Sequence, residues 1–376
     1  MRLLISILSI SLFLSVTISC QNEKVVAKNP NIILLIGDGM GLSQLSAAYY
    51  YGDTEPNFSR FTEIGLINTS PAKKKITDSG AAGTALACGE KTYNGFIGMD
   101  TDTIAIENLV EVLSAKGYNT GILATSSITH ATPASFYSHV KTRSLQFDIA
   151  EQLVESEVDF FAGGGSKYFS EREDGRDLIK ELEANGFAIN QSGEPLENST
   201  SKLGYILATD GMPSKINNRG DFLPEYTQMA IDFLSKKEES FFIMIEGSQI
   251  DWAAHDNKTD YLIAELLDFD KTVGVACDFA DKQGNTLVIV LADHETGGFS
   301  LAKKDSKYAD INPEFSTTGH SATLIPVFAY GPSSELFKGL YQNNEIFHKI
   351  LTACNSHELE VSVDETELSK GINKLY

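Results

Sequence analysis

Positive charge is scarce in this chain. Thirty Lys and Arg stand against 51 Asp and Glu, which gives a net charge of −21. Such a field repels a polyphosphate backbone and excludes non-specific nucleic-acid binding. Any phosphate the protein handles needs local positive charge, and metal ions are the obvious source. Cysteine is sparse as well. Four residues without a CxxC spacing exclude both a cysteine-rich zinc site and a disulfide scaffold. With Cys20 set aside, Cys88, Cys277 and Cys354 read as buried thiols on apolar faces. Beyond the N-terminal run, no apolar stretch approaches the roughly 20 residues of a membrane-spanning helix. Internal repeats and low-complexity tracts are absent too. What is present is globular: 376 residues, 42% hydrophobic and 22% charged, a composition that excludes wholesale disorder.

The N-terminus sets an expectation about compartment. Arg2 precedes the uncharged run Leu3 to Val16, followed by the small residues Thr17 and Ser19 and then by Cys20. The run is too short to span a bilayer and reads as a secretory signal peptide over residues 1–19. Cys20 is placed as in a bacterial lipobox, with Thr17 where Leu is usual. The expected protein is exported to the periplasm, outer membrane or cell surface as a lipoprotein with a membrane tether through lipidated Cys20. A polar tether over 20–30 then leads into one domain over 31–376.

Within that domain, short apolar runs alternate with amphipathic ones. Ile32–Ile36, Thr120–Ala124, Val158–Ala162, Phe241–Ile245, Leu287–Leu291 and Leu324–Ala329 have the continuous apolar character of strands buried on both faces. Apolar residues at three-to-four spacing predict helices over Ile104–Lys116, Leu223–Ser235, Asp260–Ala280 and Asn344–Ala353. The expected fold class is α/β, a mostly parallel central sheet with helices on both faces. The polar stretch near 163–218 reads as an insertion that decorates this sheet. Its Gly163-Gly164-Gly165 lacks the Gly-Lys-Ser/Thr of a phosphate loop and reads as a turn.

Chemistry-bearing residues collect at the C-terminal ends of these strands, where open α/β sheets bind ligands. The first strand ends in Gly37-Asp38-Gly39-Met40-Gly41, whose glycines let one carboxylate approach a ligand closely. Phe241–Ile245 runs into Glu246 and then Asp251 and His255, which are four apart and share one helix face. Leu287–Leu291 leads to Asp293-His294, and both can reach one ion only if the strand ends there. His320 offers a further imidazole in a loop. Ser79, followed by Gly80-Ala81-Ala82-Gly83, can open a helix whose N–H groups face an anion, or it can merely cap that helix. No Gly-x-Ser-x-Gly elbow is present, so a serine esterase is disfavoured. A serine without a base needs another activator, and a metal ion is one.

Five ordered blocks give the chain a family resemblance over roughly residues 30–352. They are Gly37 to Gly41; Thr77-Asp78-Ser79 with Lys91-Thr92-Tyr93-Asn94-Gly95; His130-Ala131-Thr132-Pro133-Ala134 with Arg143; Glu246 to His255; and Asp293-His294-Glu295 with His320. In these the chain resembles the alkaline phosphatases, particularly the compact bacterial forms. The resemblance implies a hydrolase acting on small phosphate monoesters through a phosphoserine intermediate on Ser79, with two zinc ions and one magnesium ion per subunit. It implies Asp251, His255 and His320 on one zinc, and Asp38, Asp293 and His294 on the other. Asp38, Thr132, Glu246 and His130 would surround the magnesium. Arg143 would grip the phosphate, Trp252 would face the substrate, and the subunits would pair as a homodimer. His130 stands where the enteric enzymes carry Asp, so zinc is a second candidate for the third site. Trp252 stands where other members carry Lys or His. His139, His348 and His357 are expected to be structural or on helix surfaces. Competing readings are a phosphodiesterase or phosphomutase of the same superfamily, and a non-catalytic surface lipoprotein that binds metal or phosphate. A sulfatase is disfavoured because no Cys-x-Pro-x-Arg or Ser-x-Pro-x-Arg motif occurs.

Overall fold

Runs of Ile, Leu, Val and Phe form stable strands only where both faces are covered from water. The computed structural model, which describes residues 29–193, 201–304 and 308–363, shows them so covered: Ile32–Ile36 and Phe241–Ile245 expose no surface. The expected signal peptide over 1–19 and Cys20 lie outside the described residues.

The strands are β1 (Asn31–Gly37), β2 (Glu63–Asn68), β3 (Asn119–Ser127), β4 (Phe160–Gly164), β5 (Phe187–Asn190), β6 (Lys202–Ile206), β7 (Phe241–Gly247), β8 (Thr286–Leu291), β9 (Glu295–Thr296), β10 (Phe299–Lys303), β11 (Ile311–Phe315), β12 (His320–Ser321), β13 (Ile325–Tyr330) and β14 (Gly339–Gln342). The helices are α1 (Leu42–Tyr51), α2 (Ser79–Cys88), α3 (Leu109–Ala115), α4 (Ala131–Ala134), α5 (Gln146–Glu155), α6 (Ser166–Ser170), α7 (Leu178–Ala184), α8 (Phe222–Leu234), α9 (Gln249–His255), α10 (Thr259–Gln283) and α11 (Glu345–Val363).

Ten strands form one sheet in the order β14-β2-β13-β8-β1-β7-β3-β4-β6-β5. Its ladders are parallel except where β13 runs against β2 and β8. Helices pack on it in two groups. In the first, α10 joins α1 and α8 and lies on β1, β7 and β8; in the second, α4 joins α2 and lies on β3 and β7, and α11 packs on α2. Register then aligns the strand ends. Ile36 sits level with both Leu291 and Glu246, and Ala124 is level with Glu246. The chain leaving β8, β1, β7 and β3 therefore emerges along one rim.

Two expectations need correction. The stretch over 163–218 does not merely decorate the sheet: it supplies β5 and β6, which extend the sheet beyond β4. Both strands are short, four and five residues, and β5 forms the sheet edge while β6 pairs with β4 and β5. Gly163 and Gly164 lie inside β4. The helix expected over Ile104–Lys116 is shorter, because Asn108 caps it. Asn108 Oδ1 accepts from Glu111 N at 3.1 Å and Glu111 Oε2 from Asn108 N at 2.8 Å, a reciprocal box that fixes the first turn at Leu109. Cys88, Cys277 and Cys354 are buried and unpaired. His348 is exposed on α11, and His139 is held between Gly98 O and Glu111.

Candidate active site

Ser79 opens α2 without capping it. The cap is Asp78, whose Oδ1 accepts from Ala81 N and Gly95 N, both at 3.0 Å. The Ser79 hydroxyl is thereby free of local duty. It is buried and lies 3.2 Å from His294 Nε2. Every residue of α2 is buried, and its small side chains permit this: a Cβ on Gly83 would lie 2.8 Å from Ser135 Oγ, on the chain just after α4.

The histidines around Ser79 are oriented by oxygen atoms that dictate their tautomers. A carbonyl can only accept, so His255 Nδ1 donates to Thr318 O at 2.5 Å and His320 Nδ1 donates to Thr77 O at 2.8 Å. Thr296 Oγ1 donates to the Asp251 carboxylate at 2.5 Å and therefore accepts from His294 Nδ1 at 3.2 Å. All three imidazoles thus turn Nε2 toward a common space, with Nδ1 held by an oxygen as in metal-binding histidines. His255 Nε2 lies 3.1 Å from His320 Nε2 and 3.3 Å from Asp251 Oδ1. His294 Nε2 lies 3.1 Å from Asp293 Oδ2 and 3.5 Å from Asp38 Oδ1.

Four buried carboxylates, Asp38, Glu246, Asp251 and Asp293, converge here. Among the described residues they form no ion pair with Lys or Arg. Both oxygens of Asp38 lack a hydrogen-bond partner, as do Asp293 Oδ2, Glu246 Oε1, Thr132 Oγ1 and His130 Nδ1. Leaving such groups buried and unpaired is costly. Burial, with Asp293, Asp251 and Glu246 nearby, pushes the Asp38 carboxyl well above its ordinary value, and burial raises Glu246 to about 7. Burial also acts to raise Asp293, but attraction from His294 outweighs it and holds the carboxyl near about 2. Oxygen and nitrogen donors without partners, crowded around repelling carboxylates, fit divalent cations. Three groups have ligand atoms mutually within 4.8 Å: Asp251, His294 and His320; Asp38, Asp293 and His294; Asp38, His130 and Glu246. Asp38 and His294 each belong to two groups, which makes the centre continuous.

Arg143 stands at the side of this centre. Its guanidinium reaches Asp78 Oδ2 and His130 Nε2, each at 3.3 Å. It is partly exposed, with N–H groups left to bind an anion. Burial, followed by the charge of Arg143, holds His130 down to about 3, so its imidazole is neutral. Trp252 is half-buried with its ring edge-on to His130, centroids 5.8 Å apart. The six-membered part of that ring lies against Gly211, where a Cβ would come within 2.5 Å of Trp252 Cη2.

The structure thus brings Asp38, Ser79, His130, Thr132, Arg143, Glu246, Asp251, Trp252, His255, Asp293, His294 and His320 to one rim. Sequence reasoning missed the partners that hold them. Thr296 had only its position two residues after His294 to mark it. The carbonyls of Thr77 and Thr318 carry no residue-type signal. Ser248 and Ser126, whose hydroxyls donate to Glu246 Oε2 at 2.6 and 3.3 Å, lie on separate strand ends.

A serine hydroxyl, an arginine and a carboxylate–imidazole centre at the strand ends of such a sheet define a metal-binding hydrolase. The comparisons specify which kind. The sequence model of the family described as alkaline phosphatase matches residues 28–313. Alkaline phosphatase 3 of Bacillus subtilis is 33% identical, the match covering 86% of this chain and 88% of that protein. Alkaline phosphatase of Escherichia coli is 29% identical over 86% of this chain and 85% of its own. The solved alkaline phosphatase from the Antarctic bacterium TAB5 superposes with a TM-score of 0.86 at 52% identity, covering 87% of this chain and 98% of the other. The chain belongs to the alkaline phosphatase family, and it is a phosphomonoesterase.

Proposed function

We propose that the enzyme hydrolyses phosphate monoesters through a phosphoseryl intermediate on Ser79, at a centre of two zinc ions and one magnesium ion per chain. The observation that carries this reading is the set of buried, partnerless donors beside the Ser79 hydroxyl. Asp251, His255 and His320 would hold one zinc, and Asp38, Asp293 and His294 the other. Asp38, Glu246, Thr132 and His130 would hold the third ion. When bound, the ions lower the pKa of the serine hydroxyl and stabilise negative charge on the attacking and leaving oxygens.

The chain's own residues do the positioning. Ser79 Oγ releases its proton to solvent and forms the new P–O bond in line with the ester bond that breaks, and the departing alkoxide takes up a proton from water. Water then cleaves the phosphoseryl bond, releasing phosphate and restoring the hydroxyl. Arg143 binds two phosphate oxygens through its fork, aimed by Asp78. The N-terminal N–H groups of α2 add positive potential beside the same phosphate.

Two solved variants of the TAB5 enzyme, each with one histidine replaced by Asp or Glu, hold Mg in a site called M3. Magnesium prefers oxygen donors and zinc accepts imidazole, so His130 makes the third site here more receptive to zinc. The apolar run before Cys20 supports export and lipidation at Cys20, and the family resemblance supports a homodimer.

The test is chelation to metal-free protein, then titration of zinc and magnesium while following p-nitrophenyl phosphate and bis(p-nitrophenyl) phosphate. The expected result is restored turnover of the monoester far above the diester. Full activity without metal, or faster diester turnover, would overturn the proposal.

A further inference from the structure

Glu295 is a buried carboxylate outside the three groups of ligand atoms. Among the described residues, hydrogen bonds and no ion pair meet its charge. Oε1 accepts from Gln44 Nε2 at 2.7 Å and from Phe299 N at 3.1 Å, and Oε2 accepts from Ser321 Oγ. These partners come from three segments. Gln44 lies on α1, six residues after Asp38. Glu295 directly follows Asp293-His294. Ser321 adjoins His320 on β12, whose ladder with β9 sets Ser321 opposite Glu295 and His320 opposite Thr296. Gln44 Nε2 also donates to Thr296 O at 2.7 Å, and Thr296 N to Gly39 O at 3.1 Å. Space for the carboxylate is made by Gly41, where a Cβ would fall 2.4 Å from Glu295 Cγ and 3.0 Å from Gln44 Oε1.

We infer that Glu295 is a positioning residue. Its carboxylate clamps the start of α1 and the short strand β12 onto β9, and so fixes the spacing between His320 on one side of the centre and Asp38 and His294 on the other. This inference rests on the metal-centre reading above. β12 has two residues and little packing of its own, since His320 and Ser321 are both partly exposed. Without the clamp, the backbone of β12 keeps its pairing with β9, and the His320 ring keeps the bond from its Nδ1 to Thr77 O and its stacking on the His294 ring, centroids 3.6 Å apart. Losses of groups that orient metal ligands typically weaken metal affinity by about 10–100-fold.

Zinc binding to the full metal-depleted chain, measured against a competing chelating dye, tests this with wild type, Glu295→Gln and Glu295→Ala. The amide keeps an acceptor for Gln44 and Phe299 and can donate to Ser321 Oγ, whose proton then turns toward Thr323 Oγ1, 2.9 Å away. Glu295→Ala is expected to weaken one zinc constant by about 10–100-fold, with Glu295→Gln within about threefold of wild type. Wild-type affinity in Glu295→Ala would overturn the inference. So would equal losses in both variants, because the cause would then be charge and not placement. If Glu295→Ala does not fold, Ser321→Ala removes the bond to β12 alone; a weakened zinc constant supports the clamp and unchanged constants overturn it. A wild-type chain that binds no zinc would instead bring down the metal-centre reading on which the inference depends.

Discussion

Replacing Arg219 with Met should be among the most damaging single changes away from the active site. The guanidinium is wholly buried and bonds Glu265 through both carboxylate oxygens, at 3.0 and 2.5 Å, and Asp268 at 2.9 Å. Asp268 retains Lys215 Nζ at 2.6 Å, whereas Glu265 retains only Lys215 N at 2.7 Å. The loss therefore falls on Glu265, left as a buried charge without a cation. Breaking one side of such a pair costs about 3–5 kcal/mol, which for a domain of this size lowers Tm by about 4–7 °C. The sign of the pH dependence follows. Burial raises the Glu265 carboxyl in the native protein against the pull of Arg219, and removing Arg219 raises it further. Stability linked to a raised carboxyl pKa is present at low pH and lost as pH rises through the folded value. The variant's deficit should thus be largest at pH 8 and shrink toward pH 5, and adding Glu265→Gln should recover part of it. Urea unfolding of metal-depleted wild type and variant at both pH values keeps zinc linkage out of the comparison. A deficit below about 1 kcal/mol, or one that does not narrow on acidification, would refute the reasoning.

Ser79→Ala should lower kcat by on the order of 10³-fold or more while zinc content stays near wild type; a phosphoenzyme trapped from the variant would contradict the nucleophile assignment. Arg143→Ala should be milder, about 10–100-fold in kcat/KM, because it removes charge-assisted bonds to phosphate and touches neither Ser79 nor the ligands of the two zinc ions. An unchanged inhibition constant for inorganic phosphate would count against that role. Gly211→Ala should force the Trp252 ring away from its 2.5 Å clash, at about 1–3 kcal/mol of stability. Its KM should shift by several-fold or less, and a structure with Trp252 unmoved against His130 would show that the ring is not seated by Gly211.

Local rules alone were enough for part of this protein. The uncharged runs at β1, β7 and β8 read as buried strands, because five successive apolar side chains leave no polar face and the runs are too short and too rich in Ile, Val and Phe for a buried helix. The four-residue spacing of Asp251 and His255 would put them on one face of any helix formed there, and they stand 3.3 Å apart on α9. Ser79 could be singled out by the small residues after it, but not separated from a capping serine. That choice was made by Gly95, whose N–H joins Ala81 N on Asp78. Only the tertiary structure decided the rest. The short strands β5 and β6 joined the sheet through pairing partners, not through a strong pattern of their own. Asp38, Glu246 and Asp293 meet because parallel register aligns strand ends more than 200 residues apart in sequence between β1 and β7. The Nε2 atoms of His255 and His320 point inward because the carbonyls of Thr318 and Thr77 take their Nδ1 protons. A backbone carbonyl is the same in every residue, so nothing in the letters of the sequence could have marked those two.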